Sequence, residues 1–183
     1  MQLSGNGFVL RGIRQEDKMA LARHANNPKI AANLRDIFPS PYTENDAANF
    51  ISFVLAHNDP PLHFAIEVND EAAGMISLIM KEDVYRLNAE IGYWLGEEHW
   101  NKGIMTAAIR LVTGYAFTSL GMIRVYAEPF ATNTASAQVL EKAGYTREAV
   151  LRRSVIKNGE VLDSFIYSLT DTAYFSAGYP TTN

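Results

Sequence analysis

Apolar residues recur with a helical period in several stretches of the chain. In the segments 47–55 and 104–116 they fall at i, i+3, i+4, i+7 and i+8, which places them on one face of an α-helix. The first segment follows Thr43-Glu44-Asn45-Asp46, which resembles a capping box, and Gly121 follows the second as a stop. The predicted helices run from Glu16 to about Asn26, from Thr43 to before Asp59, from Ile104 to about Ala116, and from Ser136 to Ala143 before Gly144.

Between and after these helices the pattern changes to that of β-strands. Short runs rich in Ile, Val, Phe, Tyr and Trp alternate with polar turns, and Asn158-Gly159 predicts a hairpin turn. Three successive runs before Ile104 predict an antiparallel meander. We therefore expect an α+β fold with helices on both faces of a mostly antiparallel central sheet of about seven strands. The predicted strands are Phe8–Ile13, Leu62–Val68, Ala73–Met80, Ala89–Leu95, Arg124–Phe130, Tyr145–Ile156 and Val161–Leu169.

Composition limits the classes of protein to which the chain can belong. It has 183 residues, 48% hydrophobic and 20% charged, and no evident linker, so we expect one domain over residues 1–183 with a short tail at 177–183. The net charge of −4 argues against nucleic-acid and membrane partners, which require a basic surface. With no cysteine, no signal-peptide pattern and no long apolar run, the chain is expected to be cytoplasmic and to use no thiol chemistry.

The histidines give no sign of a metal centre. His24, His57, His63 and His99 show none of the short spacings of a zinc site. We expect each to be a surface or edge residue, and we expect no bound metal.

The segment from Trp100 to Thr106 leads from a predicted strand into the long helix. A turn that contains Gly103 leaves backbone N–H groups unpaired at the positive end of a helix, where they favour a phosphate group. Lys102 adds a positive charge beside them. The alternative is that Gly103 serves only the turn. No Gly-Lys-Ser/Thr follows, so the segment is not a P-loop.

A second informative segment runs from Asn133 to Tyr145. Asn133 or Thr132 could cap the short helix, with Ser136 in its first turn, and this structural role explains most Asn and Ser residues at such places.

Together, in this order, the two segments resemble the GNAT superfamily of acetyl-CoA-dependent N-acetyltransferases. The match is best to the RimJ/RimL-like branch, which includes ribosomal-protein N-terminal acetyltransferases. The family motif Gln/Arg-x-x-Gly-x-Gly/Ala reads Trp100-Asn101-Lys102-Gly103-Ile104-Met105 here, with its first and last residues replaced. Val155 stands near where some ribosomal-protein enzymes carry a Glu. Matching residues elsewhere are Leu10-Arg11 with Asp17, Pro41-Tyr42-Thr43, Glu90 to Leu95, Asn133 to Tyr145, and Gly159, Asp163 and Tyr167.

The resemblance implies that acetyl-CoA is the co-substrate and that its acetyl group passes to a primary amine by direct attack. Glu90 is the candidate base, with a structural ion pair as the alternative, and Ser136 is the candidate proton donor to the leaving thiolate. Backbone N–H groups of Tyr93 to Leu95 would polarise the thioester carbonyl. The implied coenzyme-binding residues are Tyr93, Trp94, Leu95, Trp100, Asn101, Lys102, Gly103, Ile104, Met105, Thr106, Asn133, Ser136 and Lys142.

A charged and aromatic loop at residues 33–40 is a candidate wall for the acceptor, with plain loop packing as an equal alternative. The candidate substrate residues in and after it are Arg35, Asp36, Phe38 and Tyr42.

Amine pKa values suggest the class of acceptor. At pH 7.5 an α-amine with a pKa of about 7.8 is roughly one-third neutral, whereas a lysine with a pKa of about 10.4 is neutral about once in a thousand molecules. A weak carboxylate base therefore suits a protein N-terminus or a small amine. Two alternatives are a module that binds acyl-CoA without turnover and an aminoglycoside-type enzyme, for which Glu97-Glu98 is a hint. We expect a monomer or a homodimer.

Overall fold

The computed structural model describes residues 1–57 and 59–179. Its strands are β1 (Gln2–Gly5), β2 (Phe8–Arg11), β3 (His63–Val68), β4 (Glu71–Met80), β5 (Asn88–Leu95), β6 (Arg124–Ala127), β7 (Thr146–Lys157) and β8 (Glu160–Thr170). Its α-helices are α1 (Lys18–Ala25), α2 (Pro28–Ala31), α3 (Glu44–His57), α4 (Ile104–Thr118), α5 (Thr134–Lys142) and α6 (Asp171–Ser176). Single turns of 3₁₀ helix cover Gln15–Asp17, Asp83–Tyr85 and Glu97–His99.

The eight strands are hydrogen-bonded in the order β1-β2-β3-β4-β5-β6-β8-β7. The pairs β1–β2, β2–β3, β3–β4, β6–β8 and β7–β8 are antiparallel, whereas β5 and β6 run parallel over residues 88–90. Lys81 N–H donates to Asn88 O at 3.1 Å and Gly96 N–H to Ala73 O at 2.8 Å, so β4 and β5 also run in opposite directions. The predicted meander and the mostly antiparallel α+β fold are therefore confirmed.

The sheet has one strand more than the sequence pattern predicts. β1 alternates between exposed and half-buried positions and pairs with β2 alone, from Gln2 with Arg11 to Gly5 with Phe8. An edge strand needs no apolar run, which is why the hydrophobic pattern does not reveal it. Two predicted strands are also shorter than expected, since β2 ends at Arg11 and β6 at Ala127.

The long helices begin and end where the sequence predicts. At the start of α3, Asp46 N–H donates to Thr43 Oγ1 at 3.2 Å and Thr43 N–H to Asp46 Oδ2 at 2.8 Å, a capping box with Asp as its acid. Gly121, with a φ of 66°, follows the end of α4. The sequence pattern misses α2 and α6, because helices of 4 and 6 residues are too short to show a period.

The chain folds into two compact units, each formed from more than one stretch of sequence. Unit 1 comprises residues 1–77 and 93–108, and unit 2 comprises residues 78–92 and the chain from residue 109 onward. In unit 1 the buried cluster joins α1, α3, β3 and β4 through residues such as Leu21, Ile51, Ala65 and Met75.

Unit 2 has its own buried residues on α4, β6 and β8. Thr113 Oγ1 and Tyr145 OH lie 2.7 Å apart, which ties α4 to the segment between α5 and β7. Asn158 and Gly159 have φ angles of 52° and 80°, so the β7–β8 hairpin turns as predicted. In the expected tail, the Tyr179 ring stacks on Tyr174 at 4.9 Å, and residues 180–183 lie outside the described part of the chain.

Within residues 1–57 and 59–179, no helix combines the length and the apolar character that crossing a membrane requires.

Candidate functional site

The connection from β5 to α4 lies in unit 1, and after the 3₁₀ turn Glu97–His99 it ends in a turn with two left-handed residues. Asn101 and Gly103 have φ angles of 60° and 77°. The Trp100 indole Nε1–H donates to Leu95 O at 2.7 Å and so fixes the turn to the end of β5. Ala107 N–H donates to Gly103 O at 3.1 Å, which makes Gly103 the residue from which α4 starts.

Open space lies beside this turn. A Cβ added to Gly103 would meet no atom within 4 Å. Ile104 is buried and anchors the first turn of α4, Met105 and Thr106 are half-buried, and Asn101 and Lys102 are exposed. The open space at Gly103 therefore adjoins the N-terminus of a 15-residue helix, and the positively charged Lys102 lies in the same turn. These features fit a phosphate group.

The end of β5 contributes the other predicted residues of unit 1. Leu95 is buried, and Tyr93 and Trp94 are half-buried. The backbone there is closely covered, since a Cβ on Gly74 would collide with Trp94 O. Tyr93 to Leu95 are thus held by backbone contact with β4.

The candidate substrate residues of unit 1 fall into two pairs. The Phe38 ring lies 4.8 Å from that of Tyr42 and 6.0 Å from that of Trp94, and both Phe38 and Tyr42 pack on the buried cluster. Burial, helped by the nearby charge of Asp46, raises the pKa of Tyr42 to about 12. For Phe38 and Tyr42 the structure therefore shows the alternative role, packing of the loop against the hydrophobic core. Arg35 and Asp36 are exposed, as an acceptor wall would require.

Glu90 lies in unit 2, on the part of β5 that pairs with β6. Its side chain is 10% exposed, and its Oε2 accepts a hydrogen bond from Lys81 Nζ at 2.9 Å. Burial lowers the pKa of Lys81, but hydrogen bonds to Tyr126 and Glu90 outweigh it, so the net shift is upward. The ion pair considered as an alternative for Glu90 is therefore present.

The Asn133–Tyr145 segment also belongs to unit 2. Asn133 Oδ1 accepts a hydrogen bond from Ser136 N–H at 3.1 Å, so Asn133 is the cap of α5. Ser136 is half-buried in the first turn of the helix. Lys142 is exposed at the other end, where its carbonyl accepts a hydrogen bond from Arg110.

Glu97 and Glu98, the hint of an acidic cleft, each lie beside a nitrogen-bearing side chain in unit 1. Glu97 is held by Lys29 and by Asn27 Nδ2, and these hydrogen bonds lower its pKa. Glu98 Oε1 lies 3.4 Å from His24 Nδ1.

Two polar clusters are not predictable from the sequence because their members are far apart in the chain. In unit 2, Ser164 Oγ donates to Glu128 Oε1 at 2.8 Å and lies 2.7 Å from Ser154 Oγ. In unit 1, His24 lies beside His99 and is 7% exposed, so the expectation that it is a surface or edge residue is wrong. No local spacing marks either cluster.

Comparisons with known proteins agree with this geometry. A family model for the acetyltransferase (GNAT) domain matches residues 8–146. The chain is 41% identical over 175 residues to the N-acetyltransferase YoaA of Bacillus subtilis, a match that covers 91% of this chain and 95% of YoaA. It is 26% identical over 157 residues to the spermidine N(1)-acetyltransferase of Escherichia coli, covering 86% and 82% of the two chains.

A solved structure extends the comparison to the fold. The structure of RimL, the ribosomal L7/L12 alpha-N-protein acetyltransferase in complex with coenzyme A, matches with a TM-score of 0.82 at 20% identity, over 92% of this chain and 97% of that one. At this identity the likeness establishes the fold alone.

Proposed function

Because the chain belongs to the GNAT family of acetyltransferases, we propose that it transfers the acetyl group of acetyl-CoA to a primary amine by direct attack. The observation that carries the proposal is the left-handed Asn101–Gly103 turn, open to solvent at the start of α4, within the matched residues. The sequence contains no cysteine, so no thiol of the chain can form an acyl-enzyme.

The turn before α4 is proposed to hold the pyrophosphate of the coenzyme. The helix N-terminus supplies unpaired N–H groups and a partial positive charge, and Lys102 adds a full charge. Trp100 and Met105 replace the motif's outer residues, but this binding mode uses main-chain amides, which the replacements retain. Trp100 serves instead to fix the turn through its bond to Leu95 O.

Ser136 is proposed to assist the leaving group. The amine nitrogen forms a bond to the acetyl carbon, the carbon–sulfur bond breaks, and the electron pair goes to sulfur. A hydroxyl that donates to the thiolate stabilises this charge as it develops. Asn133 caps α5 by accepting the Ser136 N–H, which fixes the backbone of Ser136. The Ser136 hydroxyl is therefore not the cap of this helix.

The proton of the attacking amine needs an acceptor, and Glu90 stays the candidate, acting through water. Its Oε2 already accepts a hydrogen bond from Lys81 Nζ, and a carboxylate is in general a weak base near pH 7.5. A weak base of this kind suits an acceptor that is already partly neutral near pH 7.5.

The acceptor is therefore proposed to be a protein N-terminus or a small amine. The name of one similar protein, an alpha-N-protein acetyltransferase, agrees with the first class. Another is named for spermidine, a small amine that is largely protonated at pH 7.5 like lysine, so it supports the class but not the pKa argument.

An acceptor panel tests this proposal. Release of coenzyme A is measured with three acceptors. The first is a peptide with a free N-terminus, and the second is that peptide with an acetylated N-terminus and an added internal lysine. The third is spermidine. At pH 7.5 the free N-terminus should react about 10²-fold faster than the internal lysine, because a far larger fraction of it is neutral. Preference for the blocked peptide would reverse the assignment, and stabilisation by acetyl-CoA without product from any amine would indicate a binding module.

The role of Glu90 is tested by comparing Glu90→Gln with Lys81→Met. If Glu90 is the base, Glu90→Gln lowers kcat at pH 7.5 and flattens the acidic limb of the pH–rate profile, whereas Lys81→Met keeps that limb. If Glu90 serves only the ion pair, both variants lower the melting temperature and both keep kcat per folded molecule.

A further inference from the structure

Three potential metal ligands meet in unit 1, from α1 and from the 3₁₀ turn at Glu97–His99. His24, Glu98 and His99 each offer an atom, and these atoms lie within 4.8 Å of one another. Glu98 Oε1 is 3.4 Å from His24 Nδ1 and 3.6 Å from His99 Nε2. Zinc bound tetrahedrally at about 2.0–2.1 Å holds neighbouring ligand atoms about 3.4 Å apart. Two edges of the cluster therefore already have the length that a coordinated metal requires.

A carboxylate orients one of the two imidazoles. His24 Nε2 lies 3.0 Å from Glu71 Oε1, which also accepts a hydrogen bond from Arg23, and Arg23 Nη2 is 3.2 Å from the same ring nitrogen. Because Arg23 is engaged by Glu71, the imidazole proton at Nε2 can donate to Glu71 as well. Nδ1 then presents its lone pair toward Glu98. A histidine ligand that donates its other N–H to a carboxylate is the usual arrangement around bound metals.

Two further features set this cluster apart from an ordinary surface ion pair. The His99 side chain is 12% exposed and that of His24 is 5% exposed, so both rings are already largely removed from solvent. A Cβ on Gly96 would come within 2.5 Å of His24 Nδ1. Glycine at this position thus keeps clear the space next to the nitrogen that faces the carboxylate.

We propose that His24, Glu98 and His99 form a binding site for a divalent transition-metal ion, with His24 Nδ1, His99 Nε2 and a carboxylate oxygen of Glu98 as ligands. Two imidazoles and one carboxylate suit zinc and its first-row neighbours, and a water molecule would complete a tetrahedral shell. Glu71 is the positioning residue for His24.

The site joins α1 to the segment that leads into the Asn101–Gly103 turn. Glu97–His99 is followed directly by Trp100, whose indole is bonded to Leu95 O. A bound ion would fix this 3₁₀ turn against α1 in unit 1. Metal binding here is independent of the acetyl-transfer reaction, so it can be measured without an assay of activity.

Untagged, chelator-treated full-length protein is titrated with Zn²⁺ by calorimetry, and with Co²⁺ by visible absorption, which reports coordination geometry. We expect one Zn²⁺ per chain and a tetrahedral Co²⁺ spectrum. Glu98→Gln should weaken binding at least tenfold, and Glu71→Gln about 10-fold to 100-fold if it orients His24. Glu98 is 63% exposed, so its replacement leaves the fold intact.

Matched controls come from the same chain. Glu97→Gln alters the neighbouring carboxylate, which is bound to Lys29, and His57→Gln removes an exposed histidine on α3. Both variants should bind Zn²⁺ as the parent does. The proposal is overturned if the parent binds no Zn²⁺, if Glu98→Gln binds as tightly as the parent, or if His57→Gln removes the binding.

Discussion

Ser136 and Asn133 stand three residues apart at the start of α5 and have separable roles. The Asn133 side chain accepts the Ser136 N–H, so the capping energy belongs to Asn133. The Ser136 hydroxyl is proposed to act on the thiolate, whose charge exists only as the carbon–sulfur bond breaks.

Two single variants should therefore differ in what they impair. Ser136→Ala should lower kcat about 10²-fold, the low end for general acid catalysis, with little change in acetyl-CoA affinity. Asn133→Ala should cost about 1 kcal/mol of stability. Kinetics at saturating acetyl-CoA and thermal melts measure both effects. Normal turnover in Ser136→Ala would remove Ser136 from catalysis.

The turn between β5 and α4 can be tested against a second turn whose glycine has nearly the same φ angle. Gly103 and Gly7 have φ angles of 77° and 78°, and a Cβ on either would meet no atom within 4 Å. Valine is strained at both positions to a similar extent, about 1–2 kcal/mol. The two glycines differ in location, since Gly7 lies between β1 and β2.

Acetyl-CoA at 100 times its Kd should stabilise the parent by about 2.7 kcal/mol, a rise of roughly 5–10 °C in melting temperature. Gly7→Val should keep this rise and Gly103→Val should lose it, because the added side chain blocks the approach of the pyrophosphate to the backbone. Differential scanning fluorimetry with and without acetyl-CoA measures the difference. An unchanged rise in Gly103→Val would place the phosphate elsewhere.

Unit 1 contains a buried ion network centred on Arg11. Arg11 is 3% exposed and donates to both carboxylate oxygens of Asp17 at 2.8 Å, and its Nε donates to Glu67. The hydrogen bond to Asp17 raises the Arg11 pKa despite the opposing effect of burial. The guanidinium therefore stays charged and matches the carboxylate with two parallel bonds.

Arg11→Met should remove about 3–5 kcal/mol, because it leaves the Asp17 carboxylate buried without its partner. That is a large share of the roughly 5–15 kcal/mol by which a domain is stable. Denaturant unfolding of Arg11→Met, of Asp17→Asn and of the double variant Arg11→Met/Asp17→Asn gives the coupling energy between the two side chains. If the single variant lost less than about 1 kcal/mol, the network would contribute little to the fold.

The sequence predicts the parts of the fold that depend on local pattern. α3 and α4 show long periodic apolar faces, and Asn158-Gly159 determines its own turn, so all three are visible without a structure. β1 and α6 are too short or too polar to be distinguished from loops.

The candidate site residues were predictable to a lesser degree. Turn chemistry and the family motif point to Gly103 and Ser136, but the partner of Glu90 is Lys81, on the connection from β4 to β5. The proximity of His24 to His99 depends likewise on how α1 packs. Such contacts arise from tertiary packing, which no periodicity encodes.

β6 pairs on one side with β5, which precedes it in the chain, and on the other with β8, which follows it. During synthesis from the N-terminus, β6 therefore has one hydrogen-bonding edge without its native partner until β8 has left the ribosome. Unpaired strand edges template association between chains. A nascent chain that stalls before Thr170 would leave this edge without its native partner, so it would be open to association with other chains until β8 is made.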